Sequence, residues 1–112
     1  MARRKRYIRG KIYITNDSLF SHDRYSKSGR RIVAVNNDRK NMHVVKIKGL
    51  TDSQGNRRNG LIPIEKNSVL TKPSGLERKV YTKTARGKPI IEQKLKKTGV
   101  RLNKWDMKKL PK

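Results

Sequence analysis

The segment over residues 30–50 holds the densest run of β-branched residues in the chain, with one cluster of turn-forming residues at its middle. Residues 32–35 are apolar at every position, which is typical of a strand buried on both faces. Residues 36–41 then supply Asn and Asp side chains that bond their own backbone in turns. In the return strand, His43, Val45 and Ile47 alternate with Met42, Val44, Lys46 and Lys48. We therefore predict a β-hairpin whose core side carries Val45 and Ile47, with Lys46 and Lys48 in solvent or on a ligand.

Charge limits how such a hairpin can be built into a stable domain. The chain has 112 residues, of which 32% are apolar, and its net charge is +23, a composition close to that of disordered proteins. The apolar residues nevertheless form periodic clusters, so we predict one folded domain over residues 7–112, preceded by a flexible basic arm over residues 1–6. Repulsion among 31 cations opposed by only 8 acids destabilises the compact state. A partner that neutralises this charge, such as a nucleic acid, would stabilise it.

Composition also argues against several kinds of site. The chain has no cysteine and only two histidines, His22 and His43, too few to hold zinc alone, so we expect no metal and no cofactor. No apolar run approaches the length of a membrane span, and no apolar segment follows the basic start as it would in a signal peptide. We expect a cytoplasmic protein without a membrane partner. The oligomeric state stays open, a homodimer included.

A strict alternation of residue types begins at Tyr7 and predicts the first strand. Its expected core face carries Ile8, Gly10, Ile12 and Ile14, and its other face carries Tyr7, Arg9, Lys11, Tyr13 and Thr15. Aromatic rings interleaved with cations suit a surface on which bases stack while phosphates are neutralised. An ordinary solvated face is the equal alternative, because tyrosine favours strands in any case.

Two loops of turn-forming residues separate the remaining strands. The first, over residues 16–29, is long and polar and carries Phe20 and Tyr25; the second, over residues 51–60, has Arg57 and Arg58 at its tip. Short strands are predicted over residues 61–64, 68–71 and 79–82, with a turn over residues 72–75. Pro63 lacks a ladder donor, which favours a position at a sheet edge or bulge.

The last third of the chain changes to a helical pattern. Pro89 suits a first helical turn, and Gly99 follows lysines at a position where helices commonly end, so we predict a helix between them. A second helical turn is predicted over residues 102–110, with Asn103 as its cap and Trp105 packed on the sheet. Together these elements predict a mainly β protein, a small SH3-like barrel of about five strands with one or two short C-terminal helices.

The order of elements from Lys11 to Lys97 resembles that of the MazF/PemK family of toxin ribonucleases. The resemblance lies in a first strand, a loop ending in the Gly-Arg-Arg of residues 29–31, two strands, the Ser-Val-Leu of residues 68–70 and a helix. In that family the Gly-Arg-Arg segment borders the RNA site, which implies RNA contact by Arg30 or Arg31. Ile32 stands where the family usually has proline, and Lys48 where it has a threonine that shares the catalytic work. These two departures favour binding over cleavage.

The leading hypothesis is therefore a nucleic-acid-binding protein that contacts the phosphate backbone without catalysis. The residues predicted to contact phosphates or bases are Arg3, Arg4, Lys5, Arg6, Tyr7, Arg9, Lys11, Tyr13, Arg30, Arg31, Lys46, Lys48, Arg57 and Arg58. One alternative is a toxin-type ribonuclease, with Arg30 or Arg31 stabilising the transition state and His22 as its candidate acid or base. Another is a ribonucleoprotein component. The sequence leaves open whether the target is DNA or RNA, single-stranded or double-stranded.

Overall fold

Six antiparallel strands form one sheet in the computed structural model, which describes residues 7–20, 29–52 and 54–111. The strands are β1 (Lys11–Thr15), β2 (Arg30–Ala34), β3 (Val44–Gly49), β4 (Ile62–Ile64), β5 (Ser74–Tyr81) and β6 (Lys96–Arg101). Short 3-10 helices cover Asp17–Leu19 and Glu92–Lys94, and one short α-helix, α1, covers Lys104–Met107. The prediction of a mainly β domain is confirmed.

The strands lie in the order β4-β5-β3-β2-β1-β6. The central pair, β2 and β3, is the predicted hairpin, with Ile32 opposite Lys46 and Ala34 opposite Val44. The edge strands β4 and β6 are not hydrogen-bonded to each other, so the sheet is not a barrel closed by hydrogen bonds. Pro63 lies in β4, which confirms its predicted place at an edge. The expected count of about five strands misses β6.

Apolar side chains cover both faces of the sheet, because successive residues of a strand point to opposite sides. The first core layer includes Ile12, Val33, Val35, Val45, Ile47, Leu76, Leu102 and Leu110. The second core layer includes Ile8, Tyr13, Ile32, Ala34, Met42, Val44 and Ile90. Two-sided burial of residues 32–35 is thus confirmed, and so is the core position of Val45 and Ile47.

The alternation predicted from Tyr7 breaks at Gly10, and β1 begins only at Lys11. Gly10 has a positive φ of 88°, and the Lys11 amide donates to the Ile8 carbonyl at 2.8 Å, closing a turn. The turn changes which face each side chain takes. Ile8 and Tyr13, expected on opposite faces, therefore pack in the same core layer.

The helix predicted between Pro89 and Gly99 is absent, and the chain instead runs through the 3-10 turn at Glu92–Lys94 into β6. Gly99, with a φ of 74°, lies within β6, where the pairing with β1 shifts register between Lys11 and Tyr13. Its positive φ therefore serves a bulge and not a helix end. Residues 79–82 are also predicted to form the last strand. Most of them belong to the end of β5, and a further strand, β6, comes after it.

Side-chain turns replace the strand expected over residues 68–71. The Asn67 Oδ1 atom accepts hydrogen bonds from the amides of Val69 and Leu70, at 2.9 and 2.8 Å, so the backbone bends there. The turn expected over residues 72–75 is displaced as well, because Ser74 already begins β5. The short helix α1 is confirmed together with its cap, since Asn103 Oδ1 accepts from the Asp106 amide at 2.8 Å.

Candidate cationic pocket

A cavity of about 710 Å³ opens at the end of the sheet where β2 begins and β3 ends. These two ends meet because neighbouring antiparallel strands run in opposite directions. The segments after β3 and before β5 close the sides, joined by a hydrogen bond of 3.0 Å from the Leu50 amide to the Pro73 carbonyl. Among the described residues, five cationic ones line this cationic pocket: Arg30, Arg31, Lys48, Arg58 and Lys72.

Main-chain carbonyl groups at the end of β3 hold two of these guanidinium groups. Arg30 Nη1 donates to the Ile47 carbonyl at 3.3 Å, and Arg58 Nη1 donates to the Gly49 carbonyl at 3.2 Å. A guanidinium group has five N–H donors, so a single carbonyl does not exhaust the donors of Arg58. These contacts orient the cations, while the planar fork suits phosphate or carboxylate oxygens.

Acidic groups offset only part of the pocket's positive charge. Asp52 is the one acidic residue among its described lining residues, and Asp52 Oδ1 accepts from the amides of Gln54 and Asn56, both at 2.9 Å. Lys48 pairs with Glu77, with 2.8 Å between Nζ and Oε1. The remaining excess of cations in a concave site concentrates positive potential and attracts anions.

The pocket unites four residues predicted to contact nucleic acid, namely Arg30, Arg31, Lys48 and Arg58. Arg57 is exposed in a bridge with Thr51 and does not line the pocket. Lys72 is the residue that the sequence reasoning missed. Its only local signal was a turn motif, and nothing in the sequence shows that this turn lies beside the start of β2.

The surface predicted on the first strand is not assembled as expected. Tyr13 is only 1% exposed, and its hydroxyl donates to Glu92 Oε2 at 2.6 Å. Arg9 Nη1 donates to the carbonyls of Val35 and, at 2.9 Å, Pro111, so this guanidinium joins separate parts of the chain. Tyr7 is 56% exposed and stays available to a ligand. The expectation that Tyr13 shares an exposed face with Tyr7 is wrong, because the turn at Gly10 precedes the strand.

Lys46 is not in solvent, contrary to expectation, since it is only 8% exposed. Its Nζ atom lies 5.3 Å from the ring centroid of Phe20 and 4.9 Å from that of Tyr81. Lys46 follows Val44 on the face of the second core layer, where these two rings cover its ammonium group. The aromatic covering explains how a charged residue is accommodated at the centre of β3.

A buried ionic cluster centred on Glu92 lies in the second core layer, separate from the pocket. Glu92 receives the Tyr13 hydroxyl, a guanidinium N–H from Arg39 at 2.5 Å, and the more distant ammonium group of Lys97 at 3.7 Å. Burial alone raises the pKa of Glu92, but these hydrogen bonds and positive charges outweigh it, so the pKa is lowered overall. Burial and the bond to Glu92 raise the pKa of Tyr13 well above its ordinary value.

Lys11 lies beside this cluster, and its pKa is also shifted by its surroundings. Burial, followed by repulsion from Arg39 and Arg101, lowers the pKa of Lys11. Its surroundings make it a neighbour of the ionic cluster and do not place it on the cationic pocket. The cluster joins β1, the segment after β2, and β6, and we assign it a structural role.

The described lining of the pocket offers anion-binding groups and hydroxyls but no positioned general base. It contains no histidine, and its single carboxylate, Asp52, already accepts two amides. The Ser74 hydroxyl donates to the Lys72 carbonyl at 2.9 Å. The predicted residues Arg3, Arg4, Lys5, Arg6 and His22 lie outside the residues that the structure describes.

Comparison with protein-family models, with curated proteins and with solved structures finds no match for this chain. Among the described residues, no group of three or more acidic or histidine side chains is arranged to hold a metal ion. No helix in the described part of the chain has the length and apolar character needed to cross a membrane.

Proposed function

We propose that this protein binds nucleic acid through the phosphate backbone, with the cationic pocket as its main contact, and that it does so without catalysis. The observation that carries this proposal is the convergence of Arg30, Arg31, Lys48, Arg58 and Lys72 on one cavity. These cations come from separate segments of the sequence and meet only in the folded chain. A net charge of +23 supplies the long-range attraction that brings a polyanion to the pocket.

The cavity is larger than a bare ion requires. Its volume of about 710 Å³ falls within the range of sites that enclose whole small molecules, and a phosphate group with its sugar would fit. The cations of the pocket would neutralise a bound phosphate and so release counterions from the nucleic acid. The arginines would also make bidentate hydrogen bonds to the phosphate oxygens. The exposed Arg31 and Arg58 are the residues best placed to make such contacts.

A second candidate function is ribonuclease action of the toxin type, favoured by the presence of Arg30 and Arg31 in the lining of the pocket. The described lining argues for binding instead, because it provides charge stabilisation without a free base. Lys48 adds a phosphate-binding cation where that chemistry would need a hydroxyl.

The test is a binding titration with single-stranded RNA, single-stranded DNA and duplex DNA over a range of salt concentrations. For wild type, the logarithm of affinity should fall linearly with the logarithm of salt concentration. Arg31→Gln and Arg58→Gln should each weaken binding and reduce the slope by about one for each phosphate that the variant no longer neutralises. The matched control is Arg78→Gln, because Arg78 is exposed on β5 and does not line the pocket.

Pocket variants that bind no more weakly than Arg78→Gln would overturn the pocket as the main contact. Affinity that is insensitive to salt would overturn phosphate binding altogether. The products should also be run on a denaturing gel. RNA that is cut by wild type, and left intact by Arg30→Ala and Arg31→Ala, would establish the second candidate in place of the first.

A further inference from the structure

Trp105 is the one tryptophan of the chain, and 59% of its surface is exposed. The sequence predicted a core position, and large aromatic residues are usually buried to a high degree. Its exposure has a local cause. Residues next to each other on a helix point about 100° apart, and the neighbouring Asp106 takes the inward position with only 2% exposure.

The helix that carries Trp105 is held firmly on the protein. Asp106 Oδ2 accepts from the Glu65 amide and Asp106 Oδ1 from the Lys109 ammonium group, both at 2.9 Å. Lys109 also donates to the Pro63 carbonyl at 2.6 Å. Leu102 and Leu110, on either side of α1, are buried in the first core layer. The indole ring is therefore presented outward from a fixed base.

Two lysines lie over the exposed ring. The Nζ atoms of Lys104 and Lys108 are each 5.1 Å from the centroid of the Trp105 ring. Cation–π contacts at exposed sites contribute about 0.5–1 kcal/mol each. A nucleic-acid base stacked on an aromatic side chain contributes about 1–3 kcal/mol. A base can thus displace one ammonium group from the ring, and the displaced lysine can pair with the phosphate beside that base.

We propose that Trp105, flanked by Lys104 and Lys108, is a stacking site for an unpaired base of a single-stranded nucleic acid. This rests on the proposed function and adds to it a preference for single strands. The combination of a rigid, exposed ring with adjacent cations matches both parts of a nucleotide, the apolar base and the anionic phosphate. A paired base in a duplex cannot present its flat face without leaving the stack, so duplex binding gains nothing from Trp105.

The experiment uses the intrinsic fluorescence of Trp105, which reports on this site alone because the chain has no other tryptophan. The probes are a short oligothymidylate and an abasic strand of the same length and charge. Binding of each is measured separately by anisotropy of a dye-labelled strand. Both strands should bind, but only oligothymidylate should quench the tryptophan emission.

Trp105→Leu should weaken oligothymidylate binding by about 5- to 150-fold, the equivalent of 1–3 kcal/mol, and leave abasic-strand binding and the salt slope unchanged. Trp105→Phe should retain part of the affinity because a ring remains. The double variant Lys104→Gln, Lys108→Gln should instead weaken the binding of both strands and lower the salt slope of each. This contrast separates stacking from charge.

Each of three results with the strands would overturn the stacking site while leaving the proposed function standing, and so would one result with other partners. They are strand binding with unchanged tryptophan emission, equal quenching by both strands, and equal affinity of Trp105→Leu and wild type for oligothymidylate. A shift of emission with anionic vesicles or with protein concentration, but none with oligothymidylate, would assign Trp105 to a membrane or to self-association and would also overturn it. Failure of both strands to bind in the anisotropy measurement would instead refute the proposed function.

Discussion

At the scale of single residues, Glu92 shows how a buried charge can organise a cationic protein. Its carboxylate accepts hydrogen bonds from the Tyr13 hydroxyl in β1 and from the Arg39 guanidinium in the segment after β2. No local pattern in the sequence connects these partners. Removing one partner from a buried cluster leaves the others without compensation. The chain has 31 cationic residues and only 8 acidic ones, so cationic partners for a buried carboxylate are plentiful.

Replacing Glu92 by Gln should lower the free energy of unfolding by about 1–3 kcal/mol at neutral pH, because the variant cannot make hydrogen bonds to a charged carboxylate. The pKa of Glu92 is lowered on folding, so its stabilisation is present above its ordinary value of 4.5 and is lost as pH falls through the lower folded value. Urea unfolding at a series of pH values should therefore show a steeper acid loss for wild type than for the variant.

The matched control for this prediction is Glu77→Gln, which breaks the more exposed pair with Lys48. Its cost should stay below about 1 kcal/mol, as for other partly solvated ion pairs. Parallel stability curves for wild type and Glu92→Gln below pH 4.5 would contradict the role given to Glu92.

At the scale of elements, the hairpin could be predicted because everything that defines it lies within one stretch of sequence. Residues 32–35 are apolar on both faces, and the turn follows directly. The predicted helix after Pro89 failed for the opposite reason. Glu92 and the β6 strand are held by β1, which lies far away in the sequence, and a weak apolar pattern could not show this.

The same distinction applies to the pocket. Arg30, Arg31, Lys48 and Arg58 could be selected as cations beside strands and turns, but their meeting point depends on strand pairing. Lys72 joins them because the loop before β5 is hydrogen-bonded to the segment after β3, from the Leu50 amide to the Pro73 carbonyl. The sequence around Lys72 gives no sign of this contact. The core position predicted for Trp105 is wrong because an aromatic residue near leucines suggests a core, whereas the inward position belongs to Asp106.

Gly10 provides a test at the element scale, because it lies just before β1 in the sequence and packs against Met107 of α1 in space. A Cβ atom built there would lie 1.9 Å from Met107 Sδ, and its φ of 88° disfavours any residue with a side chain. Gly10→Ala should cost about 1–2 kcal/mol for the backbone conformation. Displacing Met107 should add about 1 kcal/mol, the low end of the cost of overpacking, because the displaced atoms are the flexible end of its side chain. Urea unfolding measures the sum.

Gly60→Ala is the matched control, since Gly60 has a similar φ of 81° but nothing within 4 Å of a new Cβ atom. It should show the backbone cost alone. Equal losses of stability for the two variants would mean that Met107 moves away freely, and that the packing of α1 on Gly10 contributes little.

At the scale of the whole molecule, the net charge of +23 opposes folding through self-repulsion. The sheet compensates with two buried faces, but the repulsion remains on the surface. Any partner that binds only the folded state adds to its stability by mass action. Charge is thus both a cost to the isolated protein and a source of its affinity for polyanions.

A short single-stranded oligonucleotide at about 100 times its dissociation constant should stabilise the fold by about 2.7 kcal/mol. This corresponds to a rise in Tm of about 4 °C for each kcal/mol. Thermal unfolding at low salt, with and without the oligonucleotide, measures the shift, and a polycation such as spermine serves as the control. A Tm that responds to neither the oligonucleotide nor added NaCl would contradict the destabilising role of the charge.

The two edge strands of the sheet, β4 and β6, each have features that disfavour the addition of a further strand. On β4, Pro63 has no amide to donate, and its carbonyl is already taken by Lys109. On β6, the exposed Lys96, Lys97 and Arg101 would face the same cations of a second copy. Fibril formation through exposed strand edges is a general hazard of open sheets, and here proline and like charges guard against it.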